Sequence, residues 1–157
     1  MAFQMTAGAL SRETLAGLEG QEIGLSDWMQ LTPGRVAAFA QATEDHQAIH
    51  LDPDAGRAAG FAGAVVHGFL TLSMLSAMSY VALPSVEGQS ASVNYGFDRV
   101  RFVAPVPVGA EIRGRFVLST AELRSDGGLM LCLAVTAEIR GEERPALSAD
   151  WRVLLLF

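Results

Sequence analysis

The chain has 157 residues, a formal net charge of −6 and a sequence pI near 4.9, and half of its residues are hydrophobic. This length is typical of one domain with a sizeable core, so we expect a single domain over residues 1–157. The hydrophobic fraction excludes a disordered chain. The acidic balance argues against nucleic acid as a partner, because phosphates require a basic surface.

The apolar segments raise the questions of cellular compartment and of membrane insertion. Cys132 lies in the run LMLCLAV, so we expect a buried thiol in a reducing compartment. The start, MAFQMTAGALSRETLAG, has no basic stretch followed by a continuous apolar one, so we expect no secretory signal and a cytoplasmic protein. Residues 61–83 contain no Asp, Glu, Lys or Arg and are long enough to span a bilayer. Polar residues interrupt this run, however, so we favour a helix that is buried by a sheet.

The first half of the chain is predicted to be helical and irregular. LTPGRVAAFAQAT predicts a helix with Thr32 as its N-cap and Pro33 at its first position. Asp52 and Pro53 repeat this signal and predict a short helix through PDAGRAA. GFAG is then a loop, after which the long apolar helix is predicted to begin near His67.

The second half has the period of β-strands. In EIRGRFVL, apolar or small residues alternate with mostly charged ones, which predicts a strand with one wet face. GLMLCLAVTAEIR and SADWRVLLLF are further strands, and RSDGG has the Asp-Gly signal of a tight hairpin. SVNYGFDRVRFVAPVPVG predicts a strand followed by a Pro-punctuated turn. The order predicts an α+β fold in which consecutive antiparallel strands form a meander around one buried helix.

The heptapeptide EDHQAIH, residues 44–50, concentrates acids and histidines in an otherwise apolar chain. If it were helical, His46 and His50 would share a face one turn apart, which is the spacing of a zinc site. A third metal ligand would then have to come from His67, Asp52 or Asp54.

A bend in the same heptapeptide predicts different chemistry. If the preceding helix ends near Glu44, Asp45 and His50 can converge and flank one small molecule such as water. A carboxylate and an imidazole in that position can accept and deliver protons. In a continuous helix the same two side chains would point about 140° apart. The third interpretation is a polar loop without chemistry, in which Asp45 caps a helix and His50 is solvated.

The segment FAQATEDHQAIHLDP, followed by HGFLTLSML, resembles the MaoC-like dehydratases, the family of the (R)-specific enoyl-CoA hydratases. That family has an Asp-x-Asn-Pro-x-His signature after a helix, and Asp45 and His50 match it. Gln47 and Ala48 depart from Asn-Pro, and Glu44 stands where Gly is usual. The Gln form resembles the branch of nodulation protein N-like members. NYGFDRVRFVAPVPVGAEI also resembles the family, so the likeness extends from about residue 20 to the C-terminus.

The resemblance implies a hotdog fold, in which a curved antiparallel sheet wraps a long central helix over about residues 67–82. It also implies a homodimer or higher homo-oligomer that pairs edge to edge. The implied activity is reversible addition of water across a trans-2-enoyl thioester, with Asp45 and His50 as catalytic residues and no cofactor beyond the coenzyme A of the substrate. The Gly68 N–H would stabilise the enolate oxygen. The role of Gly68 is also supported independently of the resemblance. Gly68 is expected at the start of the central helix, where free N–H groups can face a developing anion.

Other residues and functions stay open at this point. His46 and His67 are interpreted as structural or peripheral, and Gln47 either contacts substrate or fills the loop. Three arginines are candidates for the phosphates of coenzyme A by charge alone: Arg57, Arg99 and Arg101. The alternatives to a hydratase are a hotdog acyl-CoA thioesterase, a non-catalytic subunit that binds acyl thioesters, and a zinc enzyme.

Overall fold

The computed structural model describes residues 8–157. Its helices are α1 (Arg12–Ala16), α2 (Pro33–Thr43), α3 (Ala48–Leu51), α4 (Pro53–Ala58) and α5 (Gly68–Ala82). Its strands are β1 (Glu22–Leu25), β2 (Met29–Gln30), β3 (Ala91–Phe102), β4 (Glu111–Leu123), β5 (Leu129–Ile139) and β6 (Leu147–Leu156). The expectation that the chain carries no secretory signal falls partly on residues 1–7, which lie outside the described residues.

The strands form one six-stranded antiparallel sheet in the order β1-β4-β5-β6-β3, with β2 also paired to β4. The predicted meander is correct for β4, β5 and β6 but wrong for β3, which pairs with β6 at the far edge of the sheet. The reason is the Pro-rich connection over residues 103–110, which crosses from one side of the sheet to the other. At its start the Val103 N–H donates to Ala146 just before β6, and near its end the Gly109 N–H donates to Leu31 just after β2.

The predicted helix starts are confirmed by their capping contacts. The Thr32 hydroxyl accepts a hydrogen bond from the Arg35 N–H at 3.2 Å, with Pro33 at the first helical position. The Asp52 carboxylate accepts from the Asp54 N–H at 2.8 Å. These side chains satisfy N–H groups that a helix start leaves free, so local sequence alone sets both boundaries.

Strand β4 has the predicted alternation, with buried residues at every second position from Ile112 to Leu118. The hairpin at RSDGG is also confirmed, because the Arg124 N–H donates to the Gly128 carbonyl at 2.8 Å. The short strands β1 and β2 are not predicted by the sequence analysis. They have four and two residues, too few for a period to be recognised, and pairing with β4 defines them.

Helix α5 packs its buried side chains, which include Leu70, Leu75 and Met78, against the sheet. Burial of each such side chain contributes about 1.5–3 kcal/mol. The prediction that a sheet buries this helix holds for only part of its surface in the single subunit. Tyr80 is 75% exposed and Val81 61% exposed, because the sheet covers only one side of the helix. In residues 8–157 no helix is both long enough and apolar enough to cross a membrane.

Cys132 departs from its predicted place in the core. From Leu131 to the end of β5 the buried side chains alternate with half-buried ones, and Cys132 is at a half-buried position opposite Arg152. The apolar run LMLCLAV concealed this alternation, because the outward positions there are also apolar. Partial burial still raises the pKa of the Cys132 thiol above its ordinary value.

Candidate active site

The backbone bends sharply between α2 and α3. Helix α2 ends at Thr43, and Glu44 then adopts a left-handed conformation with φ 61° and ψ 16°. Residues 45–47 are not helical, so the zinc geometry with His46 and His50 on one helical face does not form. His46 is instead exposed at the bend, whereas Asp45 and His50 lie on either side of it.

Asp45 and His50 come together with a third residue, His67. One carboxylate oxygen of Asp45 and one ring nitrogen from each histidine all lie within 4.8 Å of one another. Asp45 is accessible to solvent, His50 is half-buried and His67 is 1% exposed. The predicted convergence of Asp45 and His50 therefore exists in the structure. Their neighbour is His67, which was predicted only as a possible zinc ligand or as a structural or peripheral residue.

The orientation of the His50 ring is fixed by a backbone contact. Its Nδ1 lies 2.6 Å from the Val65 carbonyl oxygen. Because a carbonyl oxygen only accepts, Nδ1 carries the proton in this contact, and Nε2 of the neutral ring keeps a lone pair. The Val65 N–H donates in turn to the Ile49 carbonyl at 3.0 Å, which ties this segment to α3. His50 therefore has a free basic nitrogen on a constrained ring.

His67 occupies the N-cap position of α5, but its side chain does not cap the helix. Its Nε2 lies 3.0 Å from the Asp45 backbone oxygen, so this nitrogen is the donor. The His67 ring also stacks on His50, with centroids 3.8 Å apart and planes 27° apart. The interpretation of His67 as peripheral does not fit this placement, because the ring contacts both predicted catalytic residues.

Gly68 follows His67 directly and is the first residue of α5. Within residues 8–157, no acceptor is paired with its N–H, as is typical of a helix start. The positive end of the helix dipole adds to this donor. The predicted oxyanion donor is thus one peptide bond from a residue that contacts Asp45 and His50.

The remaining predicted residues lie outside this cluster. Gln47 is exposed, and its backbone N–H lies 3.4 Å from a carboxylate oxygen of Asp45. Arg57 pairs with Asp54, and Arg99 lies 3.3 Å from Asp150. Arg101 donates to a backbone carbonyl, and no carboxylate in the described part of the chain pairs with it.

The donor set Asp45, His50 and His67 is of a kind that also binds metal ions, but the ring geometry is unfavourable for one. Two imidazoles bind a zinc ion when their in-plane lone pairs meet about 2.0–2.1 Å from each nitrogen. Stacked rings direct their lone pairs side by side, so these do not meet at one point. In addition, Nδ1 of His50 is already used by Val65. The arrangement therefore suits proton transfer better than metal binding.

Two concave regions of the described chain offer room for a ligand. One is an open groove of about 550 Å³ with small and apolar walls, lined by Pro33, Ala37, His50, Leu51, Pro53, Ala62, Gly63, Ala64, Pro107 and Val108. The other is a cavity of about 310 Å³ between the C-terminal half of α5 and the sheet. Only the groove contacts a residue of the cluster, so it gives access to His50.

Comparison with known proteins identifies the family. The family model of the MaoC like domain matches residues 15–130. The chain belongs to the MaoC-like dehydratase family. Among curated proteins, nodulation protein N of Rhizobium meliloti (strain 1021) is 45% identical over 149 residues, which cover 94% of this chain and 92% of the relative. The 3-hydroxyacyl-thioester dehydratase Z of Mycobacterium tuberculosis (strain CDC 1551 / Oshkosh) is 38% identical, covering 87% of this chain and 89% of the relative.

A solved structure supports the same assignment at the level of fold. The (R)-hydratase from A. caviae involved in PHA biosynthesis superposes with a TM-score of 0.67 and 28% identity, covering 84% of this chain and 95% of that one. The MaoC-like chain thus has the predicted hotdog fold, an antiparallel sheet around a central helix, and it is similar to the nodulation protein N branch.

Proposed function

We propose that this protein is an (R)-specific enoyl-CoA hydratase, equally a 3-hydroxyacyl-CoA dehydratase, which adds water reversibly across a trans-2-enoyl thioester. One observation carries the proposal: the Asp45 carboxylate and the His50 ring converge with His67, the residue directly before Gly68 at the start of α5. Two relatives support the reaction class, since one is a 3-hydroxyacyl-thioester dehydratase and the other an (R)-hydratase. The reaction needs no cofactor beyond the coenzyme A of the substrate.

The upper limit of 4.8 Å on the separation of Asp45 and His50 is compatible with one bridging water molecule. A water that makes two hydrogen bonds of about 2.8 Å at a tetrahedral angle joins heavy atoms about 4.6 Å apart. The carboxylate oxygen and ring nitrogen lie within 4.8 Å of each other. A water held in this way has its oxygen free to attack carbon.

The chemistry divides among the three groups. The free Nε2 of His50 accepts a proton from the water while the Asp45 carboxylate holds it, and the water oxygen bonds to C3 of the acyl chain. Charge then develops on the thioester oxygen, which the Gly68 N–H stabilises as an oxyanion donor. The proton returns from the Asp45–His50 pair to C2, so the product is a 3-hydroxyacyl thioester and the site is regenerated.

The test is hydration of crotonyl-CoA and of longer enoyl-CoA substrates, measured as the loss of enoyl absorbance. Asp45→Asn and His50→Gln should each lower kcat by about 10²- to 10⁴-fold, which is the usual contribution of general acid–base catalysis. His46→Gln is the matched control, because this exposed histidine lies at the same bend but outside the cluster, and it should keep wild-type activity. Full activity in both cluster variants would refute the site.

The alternative functions give different results in the same set of experiments. A thioesterase releases free thiol from saturated acyl-CoA, because its water attacks the carbonyl carbon. A non-catalytic subunit binds acyl-CoA in calorimetry without turnover. A zinc enzyme contains stoichiometric zinc by elemental analysis and loses activity on chelation.

The phosphates of coenzyme A need a cationic partner, and the three candidate arginines differ in availability. Arg57 and Arg99 are each paired with an aspartate, whereas Arg101 has no carboxylate partner among residues 8–157. Arg101 therefore binds a phosphate without first breaking an ion pair. We expect Arg101→Gln to raise KM for enoyl-CoA more than Arg57→Gln or Arg99→Gln does.

We also propose that the protein is a homodimer that pairs through β3. This strand is exposed along nearly all of its length, although it carries apolar side chains such as Tyr95 and Phe97. The exposed side of α5, with Phe69, Tyr80 and Val81, is apolar as well. Long edge strands, which have one side without a hydrogen-bonded neighbour, and large apolar patches mark association surfaces.

The assembly is tested by analytical ultracentrifugation of the 16.7-kDa chain. Val81→Arg should shift the protein from dimer towards monomer, because it places a charge on the exposed side of α5. Leu123→Arg is the control, since Leu123 is also exposed but ends β4, away from β3 in the sheet. A monomeric wild type, or equal dissociation of both variants, would contradict the proposed interface.

A further inference from the structure

We propose that His67 is a positioning residue, which holds Asp45, His50 and Gly68 in the geometry that hydration requires. The inference rests on the proposed hydratase function and adds a residue to its site. His67 does not need to touch the substrate in this role. It acts through three contacts, one with each of these residues.

The first contact fixes the loop that carries Asp45. The His67 Nε2–H donates to the Asp45 carbonyl oxygen at 3.0 Å, from a helix start 22 residues further along the chain. Asp45 itself lies in the non-helical segment between α2 and α3, where its carboxylate also accepts from the Gln47 N–H at 3.4 Å. The hydrogen bond from His67 therefore ties the position of the carboxylate to the rigid end of α5.

The second contact fixes the plane of the His50 ring. The His67 ring stacks on His50 at 3.8 Å between centroids, and its other neighbour is Phe39 at 5.1 Å and 54°. The His67 side chain is therefore buried between two aromatic neighbours, at 1% exposure. His50 is thus held between the stacked ring and its bond to Val65, so its free Nε2 keeps one direction.

The third contact is covalent, because His67 precedes Gly68. The position of the His67 ring therefore also sets the position of the Gly68 N–H at the start of α5. A displacement of His67 would move the acid, the base and the oxyanion donor relative to one another. Displacements of about 1 Å cost on the order of 100-fold in rate in enzymes generally.

Packing alone does not account for a histidine at this position. His67 Nδ1 is buried and has no hydrogen-bond partner among residues 8–157. An unpaired buried nitrogen is unfavourable for folding, and an apolar ring of similar size would avoid it. Within the described part of the chain, the one hydrogen bond that the His67 side chain makes in return is its donation to the Asp45 carbonyl.

The experiment uses a pair of substitutions that separate the ring from the donor. His67→Phe keeps an aromatic ring for stacking but removes the donor, whereas His67→Gln keeps an amide donor of similar reach. We expect His67→Phe to lower kcat on the order of 10- to 100-fold with little change in KM, while the melting temperature stays at or above that of the wild type. His67→Gln should recover a large part of kcat, and His46→Phe should keep wild-type kinetics.

Two kinetic outcomes would overturn the inference. One is wild-type kcat in His67→Phe. The other is a parallel loss of kcat, substrate affinity and melting temperature in both His67 variants, because a purely structural residue gives that pattern.

Long-range ¹⁵N–¹H NMR of the imidazoles tests the inference independently of turnover. The wild type should show His67 protonated at Nε2 and His50 protonated at Nδ1, and His67→Phe should perturb the His50 signals. A proton on Nδ1 of His67 would overturn the inference even if a variant does not fold. An inactive wild type with the expected tautomers would instead refute the hydratase proposal and leave the positioning contacts in place.

Discussion

Gly68 packs against one side of the aromatic ring of Phe102. A Cβ atom at Gly68 would be 3.1 Å from ring carbons Cδ1 and Cε1 of Phe102, closer than ordinary van der Waals contact. The start of α5 and the end of β3 therefore meet where the proposed oxyanion donor is located. A Cβ there would require the Phe102 ring, which is 50% exposed, to shift by a few tenths of an ångström, so glycine allows the closest packing of these two elements.

Substitution of Gly68 by Pro tests the oxyanion donor, with Gly68→Ala as the control. Both changes place carbon atoms against Phe102, but only proline removes the N–H. Proline is well tolerated at a first helical position, and the φ of −55° and ψ of 130° at His67 suit a residue before proline. We expect Gly68→Pro to lower kcat by about 10²- to 10³-fold relative to Gly68→Ala in the enoyl-CoA assay. Equal activity of the two variants would exclude the N–H as the donor.

Glu44 carries a conformational cost that glycine would remove. Its φ of 61° is in the left-handed region, which costs a residue with a Cβ about 1–2 kcal/mol. We expect Glu44→Gly to raise the free energy of unfolding by about 1 kcal/mol in urea titrations. Glu44→Ala keeps the Cβ and should stay close to the wild type, so an equal gain in both variants would assign the effect to charge instead.

Glu138 links stability to pH through two arginines on β4. Its carboxylate accepts from Arg113 Nε at 2.7 Å and from Arg115 Nε at 2.8 Å. Burial raises the pKa of Glu138, but the hydrogen bonds and charges of the two arginines outweigh it, so the pKa is lowered from its usual 4.5. This contribution to stability is present above the unfolded pKa and is lost as pH falls through the lower folded pKa.

The variant that tests this link is Glu138→Gln, whose free energy of unfolding is measured in urea at neutral and at acidic pH. We expect it to lower the free energy of unfolding at neutral pH by about 1–3 kcal/mol, because charged hydrogen bonds are lost. The difference from the wild type should shrink as pH falls below about 4.5. Glu142→Gln, at an exposed position in the β5–β6 turn, should leave the pH dependence unchanged.

Local signals in the sequence predict much of the fold and the central pair of the site. The caps at Thr32 and Asp52, the alternation of β4 and the end of α2 at Glu44 all depend on neighbours within a few residues. The convergence of Asp45 and His50 follows from that helix end, because the bend lies between them. These features could be predicted because short-range contacts decide them.

The features that the sequence did not predict depend on contacts across the fold. His67 reaches Asp45 only because α5 passes beneath the bend, and no spacing within the heptapeptide indicates this. The place of β3 at the sheet edge depends on where the Pro-rich connection crosses, which hydrophobic period does not reveal. A signal for His67 was present, since it directly precedes the glycine that begins the apolar helix.

The two edges of the sheet differ in length, which affects how copies of the chain can associate. Among residues 8–157, one edge is formed by the four-residue β1 and the two-residue β2, whereas the other is the twelve-residue β3. If two copies pair through β3, as proposed above, each contributes the same long edge. Such a self-complementary interface closes as a two-fold pair and leaves no long edge for head-to-tail polymerisation into fibres.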